Sequence, residues 1–352
     1  MSLKNIVGQE KAVEILFGIM KRHRVATSYL FCGEPGVGKK TAAINFAKAL
    51  NCLKGRNELC VMGNESLPPQ PPLTKGGITG GVDSSLITHR SSPFDACDEC
   101  ESCKKIETGA HPDFLIVSPE ERQIRIEEIR MIDEALSFKP FEGRKKIVVV
   151  DDADTMNISA ANAFLKTLEE PPEDSIIILI SSKPDRLPDT IRSRCSRINF
   201  GLLSPESCRH VLEGKIPAES MELVTRLSMG RPGTALSGDL LEERMWFLNL
   251  FKSMLNAEKD GWTSREDMER WFELVLTILR DMAVLKITGG NSGLIHIDLH
   301  EYFSKLSKFT DLKVIMNIHN ELNQLKNLLM FNLNKSITWN YTASLLRKEL
   351  AI

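Results

Sequence analysis

The chain has 352 residues, 42% hydrophobic and 26% charged, which suits a soluble globular protein of two or three domains. Its 45 basic and 47 acidic residues leave a formal net charge of −2, which excludes a protein held on nucleic acid by bulk positive charge. Lys and Glu interrupt the apolar positions of the N-terminal stretch, and no run approaches the roughly 18 apolar residues of a membrane span. No signal peptide or membrane association is therefore expected, and the chain reads as cytoplasmic.

In chain order, Ser28–Cys32 is a short apolar run that predicts a strand, followed by a helix from about Thr41 to Leu50. Between them lies Gly33-Glu34-Pro35-Gly36-Val37-Gly38-Lys39, a glycine loop placed to wrap phosphate at a helix N-terminus. The next residue should carry a hydroxyl for Mg²⁺ but is Lys40, an ammonium that cannot ligate a cation. Thr41 is one residue further, turned by about 100° on a helix, and is no simple substitute. Phosphate binding is expected to survive at this loop, and hydrolysis is not.

Half of the 28 residues from 66 to 93 are Pro, Gly or Ser, which predicts a disordered loop (about 62–94) inside an insert spanning about 52–110. Cys97-x₂-Cys100-x₂-Cys103 follows it and supplies three thiolates of a structural tetrahedral Zn²⁺ site. Cys52 is the preferred fourth ligand and Cys60 its rival, because a long intervening loop adds little closure cost. A redox role for these cysteines is the alternative, though nothing thioredoxin-like surrounds them.

Further on, Ile147–Val150 and Ile176–Ile180 read as buried parallel strands, with a helix over Ser159–Glu169 stopped by Pro171 and Pro172. Asp151 ends the first of these strands where a magnesium-supporting carboxylate belongs. Asp152 stands where an active ATPase of this class has a glutamate, one methylene longer. From about residue 204 onward strand signals vanish, and Trp246, Phe247, Leu250, Phe251 and Met254 recur at helical spacing. The sum is an α/β core, a parallel sheet with helices on both faces, followed by helical segments.

Several strings together resemble the AAA+ clamp-loader subunits of bacterial DNA polymerase III over nearly the whole chain, the delta-prime branch most closely. They are Ile6-Val7-Gly8-Gln9, His111-Pro112-Asp113, an amphipathic helix over Ile124–Lys139 leading to Phe141-Glu142-Gly143-Arg144, Leu165-Lys166-Thr167-Leu168-Glu169-Glu170-Pro171-Pro172, and Ser193-Arg194-Cys195. The resemblance implies an AAA+ domain at 1–200, a small helical lid at 201–240 and an oligomerising helical collar at 241–352. It implies Val7 beside the adenine, Ser181 or Ser182 as a first sensor, and Gly233 where motor subunits carry a sensing arginine. Arg194 is then an arginine finger acting in trans.

The expected assembly is a hetero-pentamer with gamma/tau- and delta-type subunits that opens a sliding clamp and places it on primed DNA. Within it, this chain is expected to be a stator with little or no ATPase of its own. No second acidic cluster is placed for two-metal chemistry, so polymerase activity belongs to the holoenzyme. The competing readings are an ATP-hydrolysing gamma/tau-type motor of the same loader and a stand-alone zinc nucleic-acid-binding protein.

Overall fold

A computed structural model describes residues 2–22, 25–54, 94–119, 123–238, 240–256 and 261–350. Cys60 and the 66–93 segment lie outside the described residues. The chain forms two compact units, Met1–Gly201 and Leu202–Ile352.

The first unit is built on five parallel strands: β1 (Ser28–Cys32), β2 (Phe114–Val117), β3 (Lys146–Val150), β4 (Ser175–Ser181) and β5 (Ser196–Asn199). Their order across the sheet is β2-β3-β4-β1-β5. Among the described residues, six α-helices accompany them: α1 (Glu10–Lys21), α2 (Lys39–Asn51), α3 (Glu101–Thr108), α4 (Ile126–Ser137), α5 (Ile158–Glu169) and α6 (Asp189–Arg192). Every residue of β1 and β4 is buried, which is why these strands read as unbroken apolar runs rather than as alternating ones.

Alternate side chains nevertheless face different layers. Leu30, Val148, Val150, Ile177 and Leu179 pack with Ile129 and Ile132 of α4 and with Ala161 and Phe164 of α5. On the other face, Tyr29 meets Phe46 of α2 edge-on at 5.6 Å, and Phe31 lies 5.2 Å from Phe200.

Because β4 lies between β1 and β3, the loops leaving β1 and β3 open on the same carboxyl edge of the sheet. In parallel α/β sheets that edge is where ligands bind. The Gly33 N–H donates to the Ser181 carbonyl (3.3 Å), so the end of β4 supports the start of the glycine loop.

The described residues of the second unit form helices joined by turns, with no strand among them: α7 (Pro205–Leu212), α8 (Met221–Leu227), α9 (Pro232–Ser237), α10 (Leu240–Leu255), α11 (Arg265–Thr288), α12 (His300–Phe309), α13 (Leu312–Leu328) and α14 (Lys335–Leu350). A small core of Leu212, Val224 and Ala235 joins α7, α8 and α9. A larger one centres on Phe247, Trp262, Trp271, Phe272 and Trp339, with Trp262 edge-on to Trp339 at 5.0 Å. No helix among the described residues is long and apolar enough to cross a membrane.

Candidate nucleotide site and cysteine cluster

The glycine loop joins β1 to α2. Gly36 and Gly38 have φ of 78° and 97°, a left-handed backbone that side-chain-bearing residues rarely adopt. Gly33 is required for a different reason: a Cβ there would lie 2.4 Å from the Phe200 carbonyl oxygen. Lys39 opens α2 but is buried, and its ammonium donates to the carbonyls of Gly33 (2.7 Å) and Glu34 (2.9 Å). Burial, opposed by the charges of Asp152 and Asp151, lowers its pKa. Gln9 braces the loop by donating to the Val37 and Gly201 carbonyls at 3.1 and 2.7 Å, while Val7 lies half-buried in the preceding turn.

Lys40 reaches across to the end of β3, where its ammonium pairs with Asp151 at 3.0 Å. The structure thus brings Lys39, Lys40, Asp151 and Asp152 into one electrostatic group, whereas Thr41 stays exposed on α2. Asp152 has φ of 46°, and partial burial followed by the nearby Asp151 and Asp154 charges raises its pKa. Asp154 escaped sequence reasoning. It accepts from the Ser181 hydroxyl (2.6 Å) and the Ser182 N–H (3.1 Å), tying the serines after β4 to the acidic turn. Three aspartates in a four-residue run were the available signal. Magnesium does not fit this arrangement: the position that should supply a hydroxyl carries a cation, and that cation is bound to the carboxylate the metal would need.

Arg194 follows α6. It donates to the Thr190 carbonyl (2.7 Å) and to the Glu169 carboxylate at the end of α5, with about a third of its side chain (34%) in solvent. The Leu-Lys-Thr-Leu-Glu string and the Ser-Arg-Cys triplet are therefore physically joined through Glu169. Burial pushes the neighbouring Cys195 thiol up to about 12, so it behaves as a packed apolar group rather than as a nucleophile. In the second unit Gly233 lies inside α9, Arg231 occupies its N-cap position, and the Arg231 Nε–H donates to the Ser228 carbonyl upstream (3.5 Å).

Cys52, at the C-terminus of α2, meets Cys97, Cys100 and Cys103 with all four sulfurs within 4.8 Å of one another. Zn–S bonds of about 2.3 Å place tetrahedral sulfurs at comparable mutual distances, so the donor set fits one zinc ion. The Cys100 N–H donates to the Cys97 sulfur at 3.3 Å, an interaction that favours thiolate. The neighbouring Cys52 sulfur, then burial, pushes the Cys103 thiol upward. None of the described cysteines is in a disulfide.

A polar frame surrounds the cluster. The buried Lys48 of α2 pairs with Asp98 and with Glu107 (2.5 Å). Asn51 accepts from the N–H groups of Arg144 and Lys145, both at 3.0 Å. Ser102 joins the Asn51 carbonyl (2.9 Å) to the His111 ring (3.2 Å). Asp113 then accepts from Phe141, Glu142 and Gly143 at 2.7, 2.9 and 2.7 Å. Burial opposes its charge, yet these three donors hold its pKa below the ordinary carboxylate value.

Strand order, glycine loop and acidic strand end together define an AAA+ P-loop NTPase core. The family model described as DNA polymerase III, delta subunit, matches residues 8–66 and 79–204, and the chain belongs to that family. It is 27% identical to DNA polymerase III subunit delta' of Bacillus subtilis, over 83% of this chain and 82% of that one. The delta' subunit of Pseudomonas aeruginosa is 34% identical over 56% of this chain and 62% of its own length. The tau subunit of Bacillus subtilis is also similar, at 26% over 91% of this chain and 57% of its own.

Proposed function

We propose that this chain is a delta-prime-type subunit of the DNA polymerase III sliding-clamp loader, a stator that lends Arg194 to the ATP site of a neighbouring subunit. The observation that carries this reading is the Lys40–Asp151 pair at 3.0 Å, which takes the chain's own metal position out of use. Arg194, by contrast, retains the solvent access that a residue serving another chain needs. A guanidinium brought to a γ-phosphate neutralises the charge that develops during phosphoryl transfer. The similarity to tau favours the motor reading, but Lys40 and Gly233 stand where a motor needs a hydroxyl and an arginine.

On this reading residues 201–240 form the lid and 241–352 the collar through which the chain joins gamma/tau- and delta-type partners in a hetero-pentamer. The clamp and primed DNA are met through the assembly, in the bacterial cytoplasm. Cys52, Cys97, Cys100 and Cys103 would hold a structural zinc ion. The ion supplies a four-thiolate cross-link between the end of α2 and the start of α3, and no open position for catalysis.

The test is the DNA- and clamp-stimulated ATPase of a loader reconstituted with the wild-type chain or with Arg194→Ala, beside the chain alone. A silent lone chain and a loss of about 10³-fold or more at the served site are expected, the range of arginine fingers elsewhere. Normal turnover by the substituted complex would reduce Arg194 to a structural partner of Glu169.

A further inference from the structure

The misfit of magnesium has a chemical counterpart. Lys40 places a fixed positive charge 3.0 Å from the carboxylate that would support the metal's water shell. Asp151 keeps 19% of its side chain in solvent and Lys40 keeps 48%, so the ammonium is anchored at one side and open at the other. An ammonium has three donors, and one carboxylate need not use them all. Beside it lies Lys39, whose ammonium donates to the neutral carbonyls of Gly33 and Glu34. Two cations therefore stand at the start of α2, where the helix dipole also favours negative charge.

We propose that Lys40 is a built-in replacement for the divalent cation, so that a nucleoside polyphosphate binds this loop through Lys39 and Lys40 with an affinity independent of Mg²⁺. Asp151 acts here as the anchor that aims Lys40 at the phosphates, and no longer as a metal carboxylate. A second consequence is that a bound nucleotide lacks the ion that bridges its β- and γ-oxygens in active P-loop enzymes, which keeps it intact. The inference rests on residues 33–40 as a phosphate loop, and not on the role of Arg194.

The experiment is calorimetric titration of the full chain with ADP and with ATP, in excess EDTA and in excess Mg²⁺. The wild-type chain is expected to give the same Kd in both media. Lys40→Thr, which supplies the missing hydroxyl, is expected to bind at least about tenfold more weakly in EDTA and to recover in Mg²⁺. Lys40→Ala is expected to lose binding without recovery, and a thermal melt of each variant confirms that it is folded. Wild-type binding that requires Mg²⁺, absence of binding in both media, or a Lys40→Thr chain indifferent to EDTA would each overturn the proposal. None of these outcomes touches the Arg194 assay, so the two readings fail separately.

Discussion

At the scale of single residues, the second unit holds a buried histidine whose protonation state the surrounding bonds decide. Arg244 can only donate, and its Nε lies 3.3 Å from His296 Nδ1, so that nitrogen is the acceptor. His296 Nε2 then carries the proton toward Thr277 (3.0 Å), whose own hydroxyl donates to the Leu274 carbonyl at 2.7 Å. Asp281 fixes the backbone by accepting from Ile295 and His296 at 2.8 and 2.7 Å, and Arg244 continues to Asp298. Burial, with Arg244 adding to it against Asp281 and Asp298, lowers the His296 pKa from 6.5 to about 4. Between those values the unfolded chain binds the proton and the folded chain does not, so this contribution is full above pH 6.5 and declines toward pH 4. Denaturant melts should show a loss on the order of a few kcal/mol over that window, and His296→Gln should flatten it. Asp113 gives a second prediction. Asp113→Asn leaves at least one of three part-buried N–H groups without its acceptor and should cost about 1 kcal/mol, read as a lower Tm. His111-Pro112-Asp113 was legible as a motif, but its work of holding residues 141–143 was not, because those partners lie about thirty residues away.

At the scale of elements, α2 links the two candidate sites, with the glycine loop at its N-terminus and Cys52 at its C-terminal cap. The purified chain should contain zinc at one ion per chain, released on thiol modification and measured with a metallochromic dye. Cys52→Ser and Cys103→Ser should each lower that content and the Tm together. An unchanged content in Cys52→Ser would return the fourth place to another ligand. Strands β1, β3 and β4 were legible because burial on both faces demands β-branched and other apolar residues throughout. Strand β5 was not, since it reads Ser-Arg-Ile-Asn with Ile198 alone buried, as an edge strand permits. Strand β2 is four residues long and follows a turn, too short for periodicity to register. The amphipathic pattern over Ile124–Lys139 did mark α4, which occupies Ile126–Ser137 with Ile129, Ile132 and Leu136 on its buried face.

At the scale of the whole molecule, a net charge of −2 sets how this chain meets DNA by itself. Fluorescence anisotropy with a primed duplex should give only weak binding for the lone chain, no tighter than the non-specific range of about 10⁻⁴–10⁻⁶ M at physiological salt. Tight binding that falls steeply with salt would favour the stand-alone nucleic-acid reading instead. The sequence by itself determined the α/β core, the glycine loop, the cysteine triplet and the helical second half. Each of these is written in local spacing or in a contiguous run, and local sterics and burial need no distant partner to impose them. Tertiary structure alone decided what the charged groups meet: Lys40 with Asp151 across 111 residues, and Arg194 with Glu169. Such pairings depend on strand order, which placed β3 two positions from β1 and brought both strand ends to one edge. A one-dimensional pattern carries residue types but not that order, and the charge of a site is set by which groups the order brings within a few ångströms.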